Sequence, residues 1–539
     1  MVLVFPLLFL VGLIGLMAVP ILVVLASLAI DVGEVWQHLL DTVLGEYVGN
    51  TLVLVAGVGL GVGVVGVATG WLVAMCDFWG KSWLEWMLLL PLAVPAYILA
   101  YVYSDALAYY GICQRTLRAI FGWQSAADYW FPEVRGMVGA VVMLVLSLYP
   151  YVYLLARVTF LRQGAAILEV SRVLGCGSWQ SFGRVALPLA RPAIAGGMAL
   201  AVMEALNDYG TVEFLGVNTF TVGIYRTWFA LGDRPASMQL AALLMLFSLG
   251  FILLESWSRQ SQGFNQELGR YLQPYRLRGG WAIGAVVVCL LPILLGFVVP
   301  AALLLYLYVS SEVDYSSHNF GALCQNSLVL AGVAAMIGAA IALILAYLQR
   351  KFPQRSVSAG VRVAAMGYGI PGSVIAVGIL IPLGYVDNWL SEVLGVSSGL
   401  IFSGTILAIV YAYLVRYLSV SLNAVESSLA QVKLNLDEAA QTLGKSNWGV
   451  LTHIHLPMVW SGVLAGIIFL FVDVLKELPA TIVLRPANFE TLAVRVYQYA
   501  SDERLAEAAL PALTILAVGI LPVLLLSWRI TRQRRIHKT

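Results

Sequence analysis

Apolar runs long enough to cross a bilayer recur along the whole of this 539-residue chain, and they restrict its fold more than any other feature. Twelve are legible, near 3–30, 48–76, 85–111, 136–160, 186–206, 237–257, 281–310, 323–348, 358–385, 398–422, 456–480 and 508–528. Hydrophobic residues make up 60% of the chain and charged residues 11%, a balance foreign to soluble domains. The expected fold is an all-α integral membrane protein with twelve transmembrane helices. The first run is too long for a signal-peptide core and lacks a basic leader, so it reads as a retained span. Cys76, Cys113, Cys176, Cys289 and Cys324 form no Cys-x-x-Cys pair and read as packing residues. No firm metal-ligand set stands out, and a net charge of +2 gives no reason to expect a nucleic-acid partner.

The chain is also duplicated. EVSRVLGCGSWQSFGRVALPLARPAIAGG begins at Glu169, and EAAQTLGKSNWGVLTHIHLPMVWSGVLAG begins at Glu438. Glu169, Leu174, Gly175, Trp179, Leu187 and Pro188 recur as Glu438, Leu443, Gly444, Trp448, Leu456 and Pro457, each 269 positions on. Asn50-Thr51-Leu52 recurs as Asn326-Ser327-Leu328, and Pro95 as Pro371, each 276 on. An offset near half the chain length marks a doubled domain rather than a solenoid unit. Residues 1–257 and 281–539 therefore read as two repeats of six spans, joined by a polar linker at 258–280. Six is even, so the repeats run in parallel.

Each doubled stretch has a local logic. Gly175 and Gly444 stand where a helix ends in a left-handed residue. Ser178 and Ser446 offer N-cap oxygens for a second short helix. Pro188 and Pro457 suit the first turn of a third helix, which enters the membrane. With the N-terminus inside, the inner loops and the C-terminal tail hold 21 of the 31 Lys and Arg. The positive-inside rule then places both termini and both doubled loops, 161–187 and 430–456, in the cytoplasm.

These residues carry a resemblance. Glu438-Ala439-Ala440, Leu443-Gly444 and the later Leu456-Pro457 resemble the cytoplasmic coupling loop of ATP-binding-cassette importer permeases. The first copy departs from the pattern, with Val170 and Ser171 in place of the two alanines. The resemblance implies a type I importer permease fold. It implies ATPase-coupling roles for Glu169, Leu174, Gly175, Trp179, Pro188, Glu438, Ala439, Ala440, Leu443, Gly444, Trp448 and Pro457. It implies two ATPase subunits and a periplasmic substrate-binding protein as partners. The chain would sit in a bacterial inner membrane, bind no cofactor itself, and leave ATP to the partner subunits. The stretch from Glu204 to Asp233 resembles the fused permeases of ferric-iron importers, which share features with thiamine, polyamine and phosphonate permeases. Those three substrates remain alternatives, as does a secondary transporter of parallel halves.

Gly80-Lys81-Ser82 and Gly444-Lys445-Ser446 imitate the end of a phosphate-binding loop. Met75 and Ala439 stand where that motif needs its first glycine, so no nucleotide site is read in this chain. The candidate translocation path is polar: Glu204 and Asp208 at the end of span five, and Asp473, Lys476 and Glu477 at the end of span eleven. Each carboxylate pair has i, i+4 spacing and would share a helical face. The competing reading places them at headgroup depth, with Lys476 paired to Asp473. Tyr97, Tyr101, Tyr103, Tyr109 and Tyr110, with Tyr149, Tyr151 and Tyr153, would suit a ferric ion as hard oxygen ligands. The reading favoured for them is an interfacial aromatic belt. Gly57, Gly59, Gly61, Gly63, Gly66 and Gly70 in span two are read as a helix-packing face.

Overall fold

In the computed structural model the described residues are helical nearly throughout. The structure describes residues 4–30, 33–162, 175, 178–259, 275–311, 313, 319–395, 400–430, 432–433, 435–442 and 444–536. Most of the linker read at 258–280 lies outside them. Eleven helices among the described residues are long and apolar enough to cross a membrane, and a bent pair makes twelve if it is counted as one span. The only sheet among the described residues is a two-residue parallel ladder of Cys76–Asp77 with Tyr275–Arg276.

The third and ninth spans are not the continuous helices expected. Lys81–Ala93 and Ala96–Phe121 meet at 90°. Val94 is extended and Pro95, at φ −58 and ψ 139, cannot donate to the preceding turn. The second repeat breaks in the same way: Arg355–Ala364 and Met366–Gly369 lead to Pro371, at φ −56 and ψ 140, and then to Gly372–Leu394.

Span two, Leu44–Met75, packs along span four, Met137–Arg162, through its glycines. A Cβ on Gly66 would lie 2.6 Å from Cβ of Val152 and 2.8 Å from the Tyr153 nitrogen, and one on Gly57 would meet Val141 at 2.9 Å. The backbones approach this closely only because those side chains are absent. Gly59 and Gly63 instead face Val202 and Met198 of span five, Leu187–Asn207.

Two compact units emerge, and they cut across the repeats. One comprises Gln37–Gly223, Leu246–Asp314 and Val496–Thr539; the other comprises Met1–Trp36, Ile224–Met245 and Tyr315–Arg495. Each holds spans two to five of one repeat with the first span of the other. In the first unit Tyr103 Oη donates to the Leu295 carbonyl at 2.6 Å, and a Cβ on Gly296 would stand 2.9 Å from the Leu146 oxygen. In the second unit Val4–Ala26 packs on Gly372–Leu394. There Tyr411 Oη donates to the Leu16 carbonyl, and a Cβ on Gly378 would meet the Pro20 oxygen at 2.5 Å.

Candidate functional site

The doubled loops keep one backbone plan. Gly175 and Gly444 have φ +80 and +78, the left-handed conformation that glycine adopts at least cost. Short helices follow at Ser178–Ser181 and Asn447–Val450, then π-helical turns at Phe182–Ala186 and Leu451–His455. Spans five and eleven start at Leu187 and Leu456, with Pro188 and Pro457 in their first turns. Every landmark is again 269 residues from its counterpart. Ser446 caps as expected, its Oγ accepting from the Gly449 N–H at 3.2 Å. Ser178 is the first residue of its helix rather than the cap. Glu169, Leu174 and Leu443 lie outside the described residues, as do the side chains of Trp179, Glu438 and Ala439.

The visible side chains of the second loop divide by face. Ala440 is turned inward onto Tyr347, Val450 and Leu451, so its small size serves internal packing. Trp448 is 66% exposed, and Gly444 and Lys445 are exposed near it. A clamp holds the loop to the end of span eight, Phe320–Lys351. Arg350 Nε donates to Asp437 Oδ2 at 2.9 Å, and its other nitrogens donate to the carbonyls of Leu429, Val432 and Lys433 at 3.0, 2.8 and 3.1 Å. His455 Nε2 lies 2.8 Å from Asp437 Oδ1. The corresponding first-repeat positions are Ala74, Leu168 and Ala186, which cannot build this clamp.

At the far ends of spans five and eleven the i, i+4 picture fails. Span five stops at Asn207, and Asp208 is extended at φ −66 and ψ 129. The chain then turns into a short helix, Gly210–Phe214, which Asp208 caps. Asp208 accepts from the N–H groups of Thr211 and Val212 at 2.9 and 3.1 Å and from Thr211 Oγ1 at 2.8 Å. Glu477 caps Pro479–Leu484 in the same manner, accepting from Ala480 N, Thr481 N and Thr481 Oγ1 at 2.8, 3.1 and 2.6 Å. Both carboxylates therefore do structural work, satisfying helix-start N–H groups inside the protein. Lys476 pairs with Asp473 at 2.9 Å, as the competing reading held.

Sequence reasoning missed Arg416. Its guanidinium stands 3.7 Å from Glu477, and both side chains are at least 97% buried. Gly372 makes room for the pair: a Cβ there would come within 2.9 Å of Glu477 Oε1. The first repeat has Ser147 at the position of Arg416 and Asn207 at that of Lys476. Arg157 is likewise buried, in an ion pair with Glu85. A lone Arg in an apolar run, with a carboxylate elsewhere at matching depth, was the available signal.

The sequence profile of binding-protein-dependent transport system inner membrane components matches this chain twice, over residues 66–261 and 338–535. The chain belongs to that family. Similar relatives include the Fe(3+)-transport system permease protein FbpB 2 of Haemophilus influenzae, 24% identical over 494 residues, which are 90% of this chain and 90% of the relative. The ferric transport system permease protein FbpB of Actinobacillus pleuropneumoniae is 21% identical over 481 residues, 84% of this chain and 66% of the relative. The molybdate/tungstate transport system permease protein WtpB of Thermococcus kodakarensis is 28% identical over 247 residues, 46% of this chain and 91% of the relative.

The tyrosines of this permease overturn the belt reading. Tyr97, Tyr101, Tyr103, Tyr149 and Tyr153 are buried in protein. Tyr149 and Tyr153 donate to the carbonyls of Leu88 and Glu85 at 2.9 and 2.6 Å, tying span four to the broken span three. Of these eight tyrosines Tyr110 alone is exposed, at 85%.

Proposed function

We propose that this chain is the membrane subunit of a ferric-iron importer. Two separate ATPase subunits would bind its doubled loops, and a periplasmic binding protein would deliver the ion. It would lie in a bacterial inner membrane with both termini cytoplasmic, and as a transport subunit it would have no nucleotide site of its own. ATP would be used by the partners alone. Closure of the ATPases would draw the loops together and bias the helices between two states. The observation that carries the ferric reading is the extent of likeness. Relatives named for ferric transport align across both repeats, whereas the molybdate/tungstate relative aligns over about one. The chemistry agrees: Glu204, Asp208 and Glu213 gather anionic charge in the first repeat, which favours a cation over an oxyanion.

The coupling contact is assigned to the exposed face of the second loop, Gly444 to Trp448, and to its counterpart around Gly175. The path is assigned to the carboxylates of the first repeat, Glu204 and Asp208, ahead of Asp473 and Glu477, whose charges Lys476 and Arg416 offset. The test is uptake into proteoliposomes holding this chain, its ATPases and the binding protein. ATP-dependent entry of radiolabelled ferric iron, and none of labelled molybdate, supports the reading. Molybdate entry without iron would overturn it.

A further inference from the structure

One group of buried and half-buried oxygens takes no part in coupling, capping or span tethering. Tyr209 Oη lies 3.2 Å from Tyr497 Oη, and Tyr497 donates to Glu213 Oε2 at 3.1 Å. The rings of Tyr209 and Tyr497 sit 5.7 Å apart. Tyr101 closes the group from span three: its ring packs 4.6 Å from that of Phe214 and 5.7 Å from that of Tyr97. Tyr101 is 99% buried, and its hydroxyl has no hydrogen-bond partner. Tyr97, Tyr497, Asp208 and Glu213 all lie close enough to act on it electrostatically. A buried hydroxyl left unbonded beside two carboxylates and two phenols is costly unless something else occupies it. No Lys or Arg pairs with Asp208 or Glu213 among the described residues.

A cavity of about 540 Å³ adjoins the group, with Phe214 and Ser104 in its wall and Asp105, Glu133 and Glu503 supplying acidic charge against one cation, Arg135. Span five, roughly 30 Å long at 1.5 Å per residue, separates this end from the coupling loop. Among the described residues no three His, Cys, Asp or Glu come together as a metal site, so the phenols are needed to complete a ligand set. The second repeat has nothing equivalent. Ser373, Val377, Leu478 and Ile482 occupy the positions of Tyr97, Tyr101, Tyr209 and Glu213.

We propose that Tyr101, Tyr209, Glu213 and Tyr497 form a transit site for a hard trivalent cation, entered from the acidic cavity, with three ligands from the first repeat and Tyr497 from the second. Phenolate and carboxylate oxygens are the ligands such an ion prefers. Each phenol that binds it gives up one proton to the cavity, and Glu213 binds as the carboxylate, so the ion arrives with much of its charge neutralised. Asp208 keeps its capping bonds and contributes field rather than a ligand. This rests on the ferric reading above, since it names where that cargo would pause.

The test titrates purified full-length permease in nanodiscs with ferric citrate and records the phenolate-to-ferric charge-transfer band in the visible. Wild type should develop the band. Tyr101→Phe/Tyr497→Phe should lose it, and Glu213→Gln should need at least tenfold more iron. Tyr385→Phe, on an exposed tyrosine elsewhere, should leave it unchanged. Tyr101→Phe alone, which breaks no hydrogen bond, should also weaken the band, and misfolding would not account for that loss. In the assembled importer the double variant should take up ferric iron at least tenfold more slowly. No band in wild type, or an undiminished band and wild-type uptake in the double variant, overturns the transit site. If wild-type proteoliposomes import no ferric iron, the ferric reading fails instead, whatever the spectrum shows.

Discussion

In the second repeat Glu477 caps a short helix with Arg416 beside it, while Asp473 keeps Lys476 at 2.9 Å. In the first repeat Asp208 caps the matching helix, but Ser147 and Asn207 stand at the positions of the two cations. The backbone is copied faithfully: breaks at Pro95 and Pro371, left-handed Gly175 and Gly444, and π turns at matching positions. The charges are not copied. Duplication preserves what the fold needs from both halves, and the halves then differ in how they neutralise buried carboxylates. The half whose charges are paired is suited to bearing structure. The carboxylates at the end of span five, with no cation at these two positions, are suited to receiving one.

The comparison breaks most sharply at Arg416. Arg416→Met should strand Glu477 inside the bundle and cost about 3–5 kcal/mol. Arg416→Met/Glu477→Gln should recover part of that, because the neutral amide oxygen can still receive one of the two capping N–H groups. Ser147→Ala should cost about 1 kcal/mol, the bond from Ser147 Oγ to the Val94 carbonyl. Thermal unfolding in nanodiscs ranks the three. Equal losses at positions 416 and 147 would erase the asymmetry.

Next come the loop glycines, where the repeats should behave alike. Gly444→Pro and Gly175→Pro demand φ near −65 where the chain has +78 and +80, a mismatch of about 3 kcal/mol or more at the loop. Each variant should insert but co-purify with little ATPase and transport nothing. Normal ATPase capture by both would remove the coupling assignment.

The clamp separates the loops again. Arg350→Gln should loosen the second loop by about 1–3 kcal/mol, since several carbonyls and Asp437 lose their donor. Faster amide exchange over 435–442 is the readout, along with weaker ATPase coupling than Ala74→Gly produces in the first repeat. Indifference to Arg350→Gln would make the clamp ornamental.

Transport should discriminate the carboxylates. Glu204→Gln/Asp208→Asn keeps shape and capping but removes charge, and should slow uptake about tenfold, near 1.4 kcal/mol of barrier. Assembly with the ATPases should survive. Wild-type uptake by this variant would reduce both residues to helix-end chemistry.

The smallest effect belongs to Asp473–Lys476, a partly exposed pair. Asp473→Asn/Lys476→Gln should change stability by no more than about 1 kcal/mol and leave uptake near wild type. A loss matching that of Glu204→Gln/Asp208→Asn would mean that both repeats line the route.

The sequence alone determined what local chemistry controls. Twelve apolar runs required helices through a bilayer, because an unpaired peptide group in lipid is too costly. A fixed offset revealed the duplication, and Gly175, Gly444, Pro188 and Pro457 announced their conformations because glycine and proline have few alternatives. Tertiary structure decided the rest. No periodicity shows that the repeats exchange their first spans, since lipid-facing and protein-facing apolar residues look the same in sequence. Arg416 meets Glu477 across 61 residues of chain, and Tyr101 approaches Tyr497 across 396. Such pairings depend on which helix faces come together, and that is fixed by close approach at positions such as Gly66, Gly372 and Gly378 rather than by any residue's own preference.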